Sequence, residues 1–99
     1  MSQLQPATKA KFELGRPMLS GAVADLMAID DNFTKFALSS LRRHMLGDWG
    51  EMTEDDKKEN EFSLDKHLRL FSSYSGLHKL WIITEADRST TTILFPEDY

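Results

Sequence analysis

Two clusters hold the residues with the most chemical content. The first is His44, Gly47, Asp48, Trp49 and Gly50, followed by oxygen-bearing side chains at Asp55, Asp56 and Asn60. It lacks the histidine pair at helical spacing that zinc hydrolases use and the spaced acidic loop of an EF-hand, so a metal centre is not indicated. Two readings fit. In one, Trp49 anchors a turn between helices, the glycines permit unusual backbone angles, Asp48 bonds local amides and His44 is satisfied nearby. In the other, a Trp beside glycine and an acid on a displayed loop is a rigid aromatic anchor for a protein partner.

The second cluster is Glu85, Asp87 and Arg88, within Thr84–Ser89. Carboxylates there would do acid–base work only if buried and closely opposed. A hairpin tip is wet, so an Asp87–Arg88 pair shaping the turn, or a recognition contact, is expected instead. The Thr90, Thr91, Thr92 run has no His and acid at a spacing that would activate a hydroxyl. His67 and His78 are isolated, and Arg42 and Arg43 lack the interleaved aromatics of a nucleic-acid footprint. Glycine-rich phosphate loops are absent. The expectation is therefore no catalytic residue, no cofactor and no metal, with partner binding through His44, Asp48, Trp49, Glu85, Asp87 and Arg88.

Composition bounds the rest. With 99 residues the chain has room for one domain and one modest core. Hydrophobic residues at 40% and charged residues at 28% match globular usage, so the chain should fold. The absence of cysteine excludes disulfides, thiolate metal sites and a cysteine nucleophile, and fits a cytoplasmic address. The longest apolar run, around Leu80–Ile83, is too short to span a bilayer. A net charge of −4 disfavours nucleic acid at long range and would attract a basic protein partner, although a negative charge this mild is ordinary for cytosolic domains and serves solubility.

The elements that must position these groups read as an α+β domain over residues 11–99, after a disordered tail over residues 1–10. Phe12 and Leu14 alternate with polar neighbours, and Gly15 and Pro17 limit Lys11–Leu19 to a short or edge strand. Ser20 caps a helix carrying Val23, Leu26, Met27 and Ile29. Asp30, Asp31 and Asn32 interrupt it, and Asn32 caps a second helix with a stripe of Phe33, Phe36, Ala37, Leu41 and Met45. Gly47 suits a left-handed C-terminal cap. Thr53 caps a short charged helix expected to run to Glu61, with Asp65–Leu68 left between helix and strand.

Beyond Leu68 the period becomes two. Leu70, Ser72 and Tyr74 face one way and Arg69, Phe71 and Ser73 the other; Leu80, Ile82 and Thr84 likewise oppose Trp81, Ile83 and Glu85. Thr90–Phe95 is a further strand, ended by Pro96. Short connections make these three an antiparallel meander. Both faces of its central strands are apolar, so helices take one face, and the other is covered by the N-terminal segment or used for contact.

The stretches His44–Asn60 and Leu80–Tyr99, with their GDWG, TEADRS and closing PEDY strings, resemble a family of small uncharacterised bacterial proteins found on plasmids and other mobile elements. Pro17 and the Asp30–Asn32 break depart from that family's smoother opening. The resemblance implies a genetic context and little chemistry. Combined with small size, acidic balance, a displayed Trp-bearing loop and no catalytic constellation, it leads to the expectation of a non-catalytic accessory protein of a plasmid or phage that binds another protein, with inhibition of a host defence complex as a specific version and self-association through the sheet as another form. A small nucleic-acid-associated regulator using Arg42 and Arg43 is the alternative, and an unrecognised enzyme built on His44 and Asp48 or Asp87 the third.

Overall fold

The computed structural model describes residues 9–99. Of the expected N-terminal tail, residues 1–8 lie outside the described residues, and Lys9 and Ala10 are exposed without regular structure. The element order is β1 (Arg16–Leu19), α1 (Gly21–Ile29), α2 (Asp31–Met45), α3 (Glu54–Lys66), β2 (Leu70–Ser75), β3 (Lys79–Thr84), β4 (Thr90–Leu94) and a closing 3-10 turn over Pro96–Asp98.

The fold is α+β, and the three C-terminal strands form the expected meander. The sheet, however, has four strands in the order β1-β4-β3-β2, and β1 lies parallel to β4. The purely antiparallel sheet is thus corrected to a mixed one. Physically, β1 returns to the sheet through α1, α2, α3 and two strands, a connection long enough to permit parallel pairing.

Local chemistry explains the helices. Ser20 accepts from the Val23 amide at 3.2 Å and starts α1. Asp30 does double duty: its amide donates to the Leu26 carbonyl, closing α1, while its carboxylate accepts from the Phe33 amide at 3.0 Å and opens α2. Asn32 therefore lies inside the first turn of α2 and is not its cap. At the other end Gly47 adopts φ 82°, with Gly47 and Asp48 amides bonding the His44 and Arg43 carbonyls, a Schellman closure that needs a left-handed residue.

The third helix runs past Glu61 to Lys66. Its six acids and three lysines give little apolar signal, and it is held instead by Asn60 and Ser63, both buried against β2 and its surroundings.

One face of the sheet carries the core, in which Val23, Phe33 and Ala37 of the helices meet Tyr74, Leu80, Ile82 and Ile93. Leu26, Met27, Phe36, Leu41 and Phe95 pack against this cluster, and its burial stabilises the fold at about 25 cal/mol per Å² of apolar surface. The N-terminal strap, Lys11–Gly15, crosses that same side: the Lys11 amide donates to the Met45 carbonyl at 2.9 Å, and Phe12 packs beside His44 and Trp49. The opposite face is therefore left uncovered by the N-terminal segment.

Both sheet edges are blunted. Arg16 and Ser20 turn their amides inward to β4, so Pro17 falls on the outward side of β1, where it offers no donor. On β2, Ser73 exchanges backbone bonds with Trp49 and Glu51, and the Asn60 side chain pairs with both the amide and the carbonyl of Phe71. A single carboxamide thus stands in for a neighbouring strand.

Candidate interaction face and the buried polar chain

His44 and Trp49, expected at a partner contact, are inside the molecule at 0% and 3% exposure. The reason is the strap and α3: Phe12 stacks on Trp49 with ring centroids 6.3 Å apart, and the Trp49 indole donates to Glu61 at 2.7 Å. Of the two readings of this loop, the turn-anchoring one describes what Trp49 does. Gly50 has φ 76°, and a Cβ there would run into the Ser73 carbonyl, so the GDWG segment can hug β2 only with glycine at that position. Asp48 remains exposed; it accepts from Arg43 at 2.7 and 3.2 Å and from the Gly50 amide at 3.2 Å, and the Arg43 guanidinium holds its carboxyl below the usual carboxylate range.

His44 heads a directed chain of buried hydrogen bonds. Thr91 donates to the Leu14 carbonyl at 2.7 Å, so it must accept from Thr84, 2.7 Å away. Thr84, having spent its proton, accepts at 2.8 Å from His44 Nε2–H. His44 Nδ1 is left bare to accept from the Ser72 hydroxyl. Every donor then has one acceptor only if the imidazole is neutral and protonated on Nε2. Burial, reinforced by the Arg88 charge, lowers its pKa from 6.5 to about 3, in agreement with that assignment. The chain has no carboxylate to charge the imidazole and no access from solvent, so Ser72 and His44 together do not make an activated nucleophile.

The TEADRS residues are turn-builders. Asp87 accepts from the Ser89 amide at 2.9 Å, and bonds from Ser89 lower its pKa. Arg88, in a left-handed conformation at φ 61°, does not pair with Asp87 as expected. Its guanidinium donates to the carbonyls of Leu68 and Glu85 and, from its second nitrogen, to Ser63, placing a positive charge at the C-terminal end of α3. The structure does bring the two sequence clusters together, through a residue in neither: Phe12 touches His44 and Trp49 on one side and lies under Arg88, 5.8 Å from its ring, on the other. Glu85 stands apart and joins Arg69 at 3.5 Å.

The surface features lie on the helix-free face. Cross-strand pairs Phe71↔Ile83, Ser73↔Trp81, Trp81↔Leu94 and Ile83↔Thr92 define it, with Ser73, Ile83 and Leu94 buried and Phe71, Trp81 and Thr92 half-buried. At its centre Trp81 packs edge-on between Phe71, 4.8 Å away, and Tyr99, 5.8 Å away. Arg69 lies 5.7 Å over Tyr99, donates to its hydroxyl at 3.0 Å and pairs with Glu85. Tyr99 is 68% and Met18 43% exposed, while Phe71 and Trp81 are half-buried.

No family model, curated protein or solved structure matches this chain.

Among the described residues no group of three His, Asp or Glu side chains is placed to hold a metal ion, and no helix is long and apolar enough to cross a membrane. Site selection from sequence passed over Phe71, Trp81 and Tyr99. The period-two pattern already put Phe71 and Trp81 on the face away from Tyr74 and Leu80; what it did not carry was that the strap joins α1 and α2 on the other side.

Proposed function

We propose that this protein is a non-catalytic binding module that docks another protein on the helix-free face of its sheet, with Trp81 as the central anchor. The observation that carries this reading is the aromatic row Phe71–Trp81–Tyr99, bordered by the Arg69–Glu85 pair, on the sheet face opposite the core made with α1 and α2. Aromatics with arginine at the rim are the side chains from which interface hot spots are built. With both edges blunted, a partner has the face to use and not strand addition.

The GDWG and TEADRS resemblance supports a setting on a plasmid or phage, where the partner is a host protein, with components of a defence complex among the candidates. His44, Trp49 and Arg88 serve by holding the scaffold, and Asp48 and Asp87 by shaping its turns. A nucleic-acid role gains no support, since Arg43 is neutralised by Asp48 and stacked 4.8 Å over Tyr74.

The test is a pull-down from bacterial lysate with the parent chain, Trp81→Ala, and the milder exposed pair Met18→Lys with Tyr99→Ala. A single defined protein retained by the parent is expected to be lost from both variants, at about 2 kcal/mol or more for Trp81; light scattering on the same samples reads self-association. Retention unchanged in folded variants would refute the reading.

A further inference from the structure

We infer that the trough between α3 and the helix-free face receives a segment of the partner protein in which a lysine or arginine stands beside an apolar side chain; this rests on the binding-face reading and specifies its partner. The trough, of about 340 Å³, is lined by Met52, Asp56, Glu59, Asn60, Arg69 and Phe71, together with the buried Ser63. Its polar lining is not equally available. The Asn60 carboxamide is consumed by the Phe71 backbone, and Arg69 is engaged by Glu85 and Tyr99.

Asp56 and Glu59 remain. They stand one turn apart on the same side of α3, and among the described residues neither has a basic side chain within ion-pair distance. The neighbouring lysine Lys57 is turned to Glu54 at 3.5 Å. Phe71 and Met52, both half-buried, line the same trough as the two carboxylates. A long cationic side chain meets this arrangement along its whole length: its methylenes lie on Phe71 and Met52 while its charged end reaches the carboxylates. Phe62, 52% exposed on the next turn of α3, lies beyond Glu59 in a second shallow cleft that also holds Asp55 and Lys58. The net charge of −4 steers such a segment inward and repels an acidic one.

The test selects random linear peptides displayed on phage against the folded chain. Recovered sequences are expected to carry Lys or Arg next to Phe, Trp, Leu or Met. Binding of the synthesised peptide, read by fluorescence anisotropy, should weaken about tenfold in the Asp56→Asn, Glu59→Gln double variant, as the loss of two partly screened ion pairs predicts. It should weaken with added salt and be unchanged in Asp25→Asn on α1. Recovery of no peptides, of neutral or acidic peptides, or of peptides indifferent to the double variant overturns the inference. Peptides lost by Trp81→Ala but kept by the double variant would overturn the trough and leave the face reading intact; peptides indifferent to both would remove support from each.

Discussion

Acidification should destabilise this protein through one buried imidazole. His44 has an unfolded pKa of 6.5 and a folded value of about 3. A folded value below the unfolded one means that the unfolded chain binds a proton the native state refuses. Stability is therefore full above about pH 6.5 and is lost as the pH falls toward about 3, at about 1.4 kcal/mol per pH unit. Between about pH 7 and pH 4.5 the loss amounts to about 2.5 kcal/mol, a large share of the roughly 5–15 kcal/mol that domains possess.

Urea unfolding followed by tryptophan emission at several pH values reads this directly, with His44→Gln as the reference that lacks the titration. Asp48 and Asp87 have lowered pKa values, but they lose their contribution mainly below the ordinary carboxylate value of 3.8 and do so in both proteins, so the difference in slope isolates His44. Parallel slopes for parent and variant over that range would refute the argument. Should His44→Gln not fold, imidazole nitrogen shifts of the parent decide the matter: the Nε2–H neutral form must persist at about pH 5, where an unperturbed histidine is charged.

Two further outcomes are expected. Asn60→Ala strips the Phe71 amide and carbonyl of their partners and should cost about 2–3 kcal/mol in urea unfolding; a loss below about 0.5 kcal/mol would mean that water replaces the carboxamide freely. Arg88→Lys keeps the charge and the backbone angle but cannot fork between the Ser63 and Leu68 carbonyls, so a loss of about 1–2 kcal/mol is expected, and parent-like stability would show that the charge alone matters.

Where the sequence could be read and where it could not divides along the range of the interactions. Ser20, Thr53, Gly47 and Pro96 punctuate locally, and each stands where its chemistry asks. The period-two runs assigned faces correctly because alternation is a property of the strand itself. Parallel pairing of β1 with β4 is not encoded in any window, since Arg16 meets Thr90 only after the whole chain has turned back. The length of α3 was hidden because Asn60 and Ser63, polar residues, do the packing that apolar ones usually do. Trp49 and His44 carry the same residue types whether displayed or buried; what decides is Phe12, a distant residue that settles over both. Asp30 acting for two helices at once explains the break at Asp30–Asn32, where local rules rank Asp and Asn as equally good caps and so do not choose among the three.

The pairing of Arg16 with Thr90 sets a kinetic character on the molecule. The meander and the helices can form from near neighbours, but β1 gains its sheet contacts only after a loop spanning most of the chain has closed, which is an entropic cost met before any reward. Folding should finish with that closure, and opening should begin there. Amide exchange ought to report Arg16–Leu19 as the first segment to release its hydrogens, well ahead of β3.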